Sequence, residues 1–240
     1  MSSQPNQSLI DGLACLQALA MHAEPVACRA LARDLDLNVM RANRLLRTLA
    51  DIGLAHQDAK RRYTIGPGIH TLAAQSMFAS GLLKRAIKPL RRIGSPGQLI
   101  ALGVLWQNEV TYLYHGKHGC DVEDALGRIT LVPATRSSVG MALLATHADD
   151  QIREMYRDQT IPGFKSITAL LKELRQTRKQ GYACLVYPSQ QDPDHLTIAV
   201  TVGKPVTAAI AISGAALDAP VDQIVKQLKD ASQIIAPPPE

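Results

Sequence analysis

With 240 residues the chain has room for two ordinary domains, and a hydrophobic share of 46% with a mean hydropathy of −0.01 excludes a disordered protein. No apolar run reaches bilayer length and the polar start, MSSQPNQS, lacks a signal-peptide pattern, so no membrane partner is expected. The net charge of +5 is uneven: Met1 to Gly94 holds thirteen Lys and Arg against six Asp and Glu, and Ser95 to Glu240 thirteen against fifteen, which points to a nucleic-acid-facing first third.

In chain order, Ser8 is placed to cap a helix over 9–22, in which Leu9, Leu13, Leu16 and Ala20 recur at helical spacing. Glu24-Pro25 breaks it, because proline disfavours helix in the residue before it. A short helix over 28–35 and a tight turn at Asp36-Leu37-Asn38 precede a third helix over 39–52. Asn38 caps this third helix, Ala42, Leu45, Leu46, Leu49 and Ile52 face inward, and Gly53 stops it. Two short strands, 54–57 and 62–65, flank the polar turn Asp58-Ala59-Lys60-Arg61. This order is the layout of a winged helix–turn–helix, whose second helix of the pair enters the major groove.

Gly66-Pro67-Gly68 opens a helix to about residue 78, and a second helical stretch over 82–93 carries Lys84, Arg85, Lys88, Arg91 and Arg92 with no acid. A solvated helix face is the ordinary reading of such a run. Residues 67–94 are thus expected to be linker helices between a DNA-binding domain, 1–66, and a second domain, 95–240. In the second domain strands are expected at 98–105, 110–115, 182–187, 195–202 and 205–213, the last two joined by a tight turn at Gly203-Lys204. Helices are expected at 137–146, 149–157, 167–180 and 221–235. Hairpin-joined strands with helices between them imply an α+β fold around an antiparallel sheet.

With these residues in view the chain resembles the isocitrate lyase regulator (IclR) family of bacterial transcription factors, from about Ser8 to Ile235. In the first domain the resemblance rests on Leu31-Ala32-Arg33-Asp34-Leu35, on Arg44-Leu45-Leu46-Arg47-Thr48-Leu49, and on Gly53-Leu54 followed by Tyr63-Thr64-Ile65-Gly66-Pro67. In the second it rests on the run from Pro133 to Ala145, PATRSSVGMALLA, on Arg178-Lys179-Gln180-Gly181-Tyr182-Ala183, and on Ala209-Ile210-Ala211-Ile212-Ser213-Gly214. The order and spacing of these motifs carry it, since R-L-L-x-x-L alone occurs in many helices. The resemblance implies an N-terminal winged helix–turn–helix, a linker helix and a GAF-like C-terminal domain that binds a small organic or aromatic acid. It also implies dimers through the DNA-binding domains, or dimers of dimers.

For DNA, burying one face of the third helix leaves Met40, Arg41, Asn43, Arg44, Arg47 and Thr48 on its outer surfaces. Guanidinium groups take guanine edges or phosphates, and Asn pairs with adenine. Arg41 and Asn43 are the expected base readers, and Arg44 and Arg47 the expected phosphate or mixed contacts. Lys60, Arg61 and Arg62 on the wing are expected to reach a neighbouring phosphate or the minor groove. Family members often carry small hydroxyl residues where this chain has Met40 and Arg41.

For the effector, Ser137, Ser138, Val139 and Gly140 match the family's small-residue loop at a helix start, where N–H groups offer themselves to a carboxylate. Ser213 matches a pocket serine. Ala211 stands at a second serine position, Thr197 near a cysteine position and Leu185 near an acid position, so three polar positions of four have changed. These changes favour a bulkier or more apolar ligand over a small hydrophilic acid. The other reading is a set of satisfied core hydroxyls in a ligand-independent repressor with a degenerate pocket.

Other chemistry is sparse. Cys15, Cys28, Cys120 and Cys184 are too scattered for a zinc ribbon or a disulfide scaffold, so a reducing cytoplasm is expected. His115, His118 and Cys120 are metal-capable but have only Asp121 nearby as a further ligand, and neither metal nor cofactor is expected. Only nine residues are aromatic, which argues against stacking on single strands. Ser137, Ser138 and His147 lack a G-x-S-x-G elbow, so no enzyme is expected. The sequence reads as a regulator that binds an inverted-repeat operator in duplex DNA and senses a small molecule.

Overall fold

Asn6 rather than Ser8 starts the first helix. Its side-chain oxygen accepts from the N–H groups of Ser8 and Leu9 at 3.0 and 3.2 Å, so α1 runs Gln7–Ala20. Its inward face is not the expected leucine row: Asp11, Cys15 and Leu19 are buried, while Leu9 is 63% and Leu13 45% exposed. The two sets lie on different stripes, and the contact that selects between them is with the third helix, α3 (Val39–Asp51), whose Arg41 pairs with Asp11.

The computed structural model describes residues 5–126, 131–187, 195–214 and 219–237, and the chain divides into two units, Met1–Ser80 and Gly81–Glu240. In the first unit α1 is followed by β1 (Val26–Ala27), α2 (Cys28–Asp34), α3, β2 (Ala55–Gln57), β3 (Arg62–Ile65) and α4 (Pro67–Ser80). The strands form an antiparallel sheet in the order β1-β3-β2; β1, whose two residues pair with Tyr63 and Arg62, is too short to leave a periodic signal. Asp36 takes a left-handed turn (φ 50°) between α2 and α3, and the Asn38 side chain accepts from Met40 N at 2.8 Å. Leu46 and Leu49 pack into a core with Cys15, Leu19, Leu31 and Tyr63, and Ala42 on the same helix is also buried. Ile52 is instead 62% exposed, because the helix has ended at Asp51 and Gly53, at φ 77°, turns the chain away. Gly66 packs closely on the end of α3, since a Cβ there would lie 2.4 Å from the Gly53 carbonyl oxygen.

The second unit holds α5 (Leu82–Leu90), β4 (Leu99–Trp106), β5 (Glu109–Lys117), α6 (Val122–Ala125), β6 (Val132–Pro133) and a 3-10 turn at Ala134–Arg136. Then come α7 (Ser138–Leu144), α8 (Asp149–Met155), α9 (Ile167–Gln180), β7 (Ala183–Tyr187), β8 (His195–Val202), β9 (Ala208–Gly214) and α10 (Val221–Ile235). All six strands pair antiparallel in the order β6-β5-β4-β9-β8-β7, so the unit is α+β. The expected two-residue turn between β8 and β9 is a five-residue loop, with Ala208 opposite Val202. Pro205 has no N–H to give to a ladder, so the strand starts beyond it.

Strand alternation sorts this sheet by size. Ile100, Leu102, Ile198, Val200, Ile210 and Ile212 turn to one face and pack with α5 and α10. Ala101, Ala199, Ala209 and Ala211 turn to the other, under α7, α8 and α9. The methyl-lined face lets α7 lie close. Gly140 in its first turn has no room for a Cβ, which would meet the Ala134 carbonyl oxygen at 2.2 Å.

Candidate functional site

Two places gather the chemistry-bearing residues, one in each unit. In the first, α3 is amphipathic: Ala42, Leu46 and Leu49 are buried, and Asn43, Arg44, Arg47 and Thr48 are exposed with Met40 at the helix start. Met40 is 81% exposed, an apolar side chain standing in solvent. The Thr48 hydroxyl donates to the Arg44 carbonyl at 3.0 Å and so remains on the helix. Arg41 is held differently from its neighbours. Its Nε lies 2.6 Å from Asp11 Oδ2, and Gln7 donates to the other oxygen of the same buried carboxylate at 2.7 Å. On the hairpin Arg62 pairs with Asp58 through Nε at 2.9 Å and Nη2 at 2.8 Å, while Lys60 and Arg61 are exposed at the turn. Asp58 also accepts from the N–H groups of Lys60 and Arg62, and these bonds hold its carboxyl below the usual carboxylate range.

In the second unit a cavity of about 160 Å³ lies between the methyl-lined sheet face and the start of α7. Four of the expected effector residues line it: Ser138, Thr197, Ala211 and Ser213. Ser138 and Thr197 share a hydrogen bond of 2.8 Å. Ser137 is not in that lining; it accepts from Gly140 N at 3.1 Å and shares a 2.8 Å bond with the Tyr112 hydroxyl. One of the N–H groups at the helix start, that of Gly140, is therefore capped by the protein's own serine. Val139 is buried in the core, Gly140 is pressed on Ala134, and Leu185 packs among apolar neighbours opposite Thr197.

The sequence reading missed Tyr112, His115 and Tyr187, which line the same cavity. Residues 112 and 115 of a regular strand point to opposite faces. Here the register slips between β4 and β5 at Leu102/Gly103, with Tyr114 opposite Leu102 but Tyr112 opposite Gly103. The extra residue inverts the parity, sends Tyr114 to the α5/α10 face, and brings the Tyr112 and His115 ring centroids to 5.0 Å. Tyr187, at the end of β7, donates its hydroxyl to the Arg136 carbonyl.

Burial raises the Tyr112 phenol, an effect the Ser137 bond partly offsets, and pushes Tyr187 up to about 12, with Tyr112 adding to the rise and Arg136 opposing it. Both are neutral at pH 7. Among the described residues the lining combines hydroxyls, an imidazole and apolar side chains without a Lys, Arg, Asp or Glu. The space is small, about 160 Å³. Tyr112, Tyr187 and His115 supply the polarity that Ala211 and Leu185 lack. His118 is not part of this set: its Nδ1 meets the Ile93 carbonyl at 3.1 Å. Among the described residues no group of three His, Cys, Asp or Glu is placed to hold a metal ion, and no helix is long and apolar enough to cross a membrane.

The second unit is thus an antiparallel sheet with helices on both faces and a small cavity beside a tightly packed helix. Residues 79–236 match a family model described as bacterial transcriptional regulator IclR C-terminal. The chain belongs to the IclR family. A candidate IclR regulator from a Silicibacter species is 19% identical with a TM-score of 0.76, the alignment covering 97% of this chain and 98% of that one. An IclR family regulator from Brucella abortus is 20% identical at a TM-score of 0.72, over 98% of this chain and 93% of that one. An IclR homologue from Microbacterium hydrocarbonoxydans, solved in complex with 4-hydroxybenzoate, is 21% identical at 0.63, over 93% and 97%. These identities speak for a shared fold. No curated protein sequence matches the chain.

Proposed function

We propose that this IclR family member is a sequence-specific DNA-binding regulator, without enzymatic activity, whose second unit senses a small organic or aromatic acid. The first unit then acts as a winged helix–turn–helix over 1–66, with linker helices over 67–94 and a GAF-like effector domain over 95–240. What supports the DNA half is the amphipathic α3, with Asn43, Arg44 and Arg47 exposed beyond its packed face. In this reading Asn43 reads a base edge, Arg44 and Arg47 hold phosphates, and Lys60 and Arg61 reach the flanking backbone. Met40 and Thr48 add apolar and hydroxyl contact. Arg41 and Arg62, paired with Asp11 and Asp58, hold α3 and the hairpin in position. Two such units in a dimer, or in a dimer of dimers, address an inverted repeat in the cytoplasm.

The effector half is supported by the hydroxyl-lined cavity at Ser138, Thr197 and Ser213, and by the Microbacterium homologue's complex with 4-hydroxybenzoate. A single-ring hydroxy acid can accept and donate to these hydroxyls. Ligand acts on DNA binding only to the extent that it binds two arrangements of the protein with different affinity.

The test begins with selection of bound genomic fragments, followed by titration of the selected duplex at several salt concentrations. Arg44→Ala is expected to weaken binding across sequences and to lower the salt slope by about one. An unchanged slope removes Arg44 from the phosphate contacts, and indifference to duplex at low salt ends the DNA reading. For the effector, 4-hydroxybenzoate is titrated against the wild type and Thr197→Val. Equal affinity in the two removes Thr197 from the ligand contacts, and no binding in either favours the ligand-independent reading.

A further inference from the structure

We propose that the groove between α5 and α10 is a second binding site, for an anion of at least two negative charges on an apolar body. It lies over the isoleucine- and valine-lined face of the sheet, opposite the face that carries the hydroxyl cavity, so the two sites share no wall. Its volume of about 480 Å³ is three times that of the cavity and falls within the range of small-molecule pockets.

The groove is amphipathic in cross-section. Buried Pro89, Ile93 and Ala231 form its floor, and Ile234, 66% exposed, forms an apolar lip. Lys84 and Lys88 stand one turn apart on α5, about 6 Å at helical rise, and Arg92 lines the groove from the turn that follows the helix. Among the described residues these three make no ion pair, and Asp230 is the single acid in the described lining. Arg85, from the same helix, donates from Nε to the Ile235 carbonyl at 2.8 Å, which fastens α5 to the end of α10 and sets the width of the groove.

A row of cations on a convex helix is ordinarily a solvated face. Here it borders a concave apolar floor, where field lines from the cations converge and an apolar body loses water contact. An inorganic anion gains only the first effect and a neutral hydrocarbon only the second. A molecule that has both gains both, and this selects the amphipathic anion.

Farnesyl diphosphate serves as the probe, titrated by calorimetry into the full chain, with farnesol and inorganic pyrophosphate as the halves of the molecule. The diphosphate ester is expected to bind at least tenfold more tightly than either half. Lys88→Gln with Arg92→Gln is expected to weaken it at least tenfold. Ala231→Trp, which fills the floor and leaves every charge in place, is expected to abolish it. Thr197→Val, in the other cavity, leaves it unchanged. Pyrophosphate binding as tightly as the ester, or an affinity untouched by the charge and floor variants, overturns the proposal. So does a result in which the charge variant weakens binding of an unrelated duplex while the farnesyl ester is indifferent to it, which would assign the row to DNA.

Discussion

On the first unit Asn43, Arg44 and Arg47 stand in solvent on a helix whose opposite face is packed. In the second unit the cavity at Ser138 and Thr197 is walled by hydroxyls, an imidazole and apolar side chains. The exposed surface suits a polyanion, because many weak contacts add up and salt sets their strength. The enclosed one suits a small molecule chosen by shape and matched hydrogen bonds, since an unmatched polar group there costs its full desolvation. Charges that serve shape are neutralised within the protein, Arg41 by Asp11 and Arg62 by Asp58.

The glycines of the two units test the same contrast in packing. Gly140→Ala is expected to cost about 3 kcal/mol, because the new Cβ would lie 2.2 Å from the Ala134 carbonyl oxygen and backbone cannot yield cheaply. Gly12→Ala, on α1, meets nothing nearer than Leu45 Cδ2 at 3.9 Å and is expected to stabilise by about 0.5–1 kcal/mol through helix propensity. Denaturant unfolding of the full chain measures both, and equal signs would show that α7 is no more tightly seated than α1. Next in size is Ala211→Leu, which fills the 160 Å³ cavity from the sheet side. It is expected to weaken 4-hydroxybenzoate at least tenfold, about 1.4 kcal/mol, while operator binding without ligand stays as in the wild type. A parallel loss of operator binding would mean that the variant damages more than the cavity.

Much of the fold was legible because long amphipathic helices and alternating strands announce themselves: 167–180, 195–202 and 221–235 stand where the periodicity places them. The failures are local and have physical causes. In α1 two stripes compete, and an ion pair from another helix chooses the one containing Asp11, which no hydrophobic count weighs. The slip between β4 and β5 adds one residue that composition does not mark, and it alone brings Tyr112 and His115 to one face. Four cavity residues were reached through the family resemblance rather than through periodicity. A serine at a helix start serves equally as a cap or as a ligand contact, and the bonds of Ser137 to Gly140 N and Tyr112 are not visible in the sequence.

The Arg41–Asp11 pair is a smaller and more direct test of how the first unit is held. Arg41→Ala and Asp11→Ala, alone and together, are expected to show a coupling of about 1 kcal/mol in unfolding, since the carboxylate is buried but the guanidinium is partly in water. Asp11→Ala is also expected to weaken operator binding by letting α3 shift, without changing the salt slope. Additive effects on stability would release Arg41 from this role and return it to the base edges.

The smallest effect is read at alkaline pH and concerns the second unit alone. Burial pushes Tyr156 and Tyr187 up to about 12, against about 10 for a free phenol. The folded form therefore holds protons that the unfolded chain has released, so the stability these neutral phenols contribute is complete below about pH 10 and is lost as pH rises through about 12. Tyrosinate absorbance is expected to rise in two stages, the later one containing both residues. Tyr187→Phe removes part of the late stage and frees the Arg136 carbonyl from its donor, whereas Tyr156→Phe removes part of it with the cavity lining intact. A single stage at the ordinary phenol value would show that the cavity mouth is open to water, and would place its ligand among those recognised by charge rather than by enclosure.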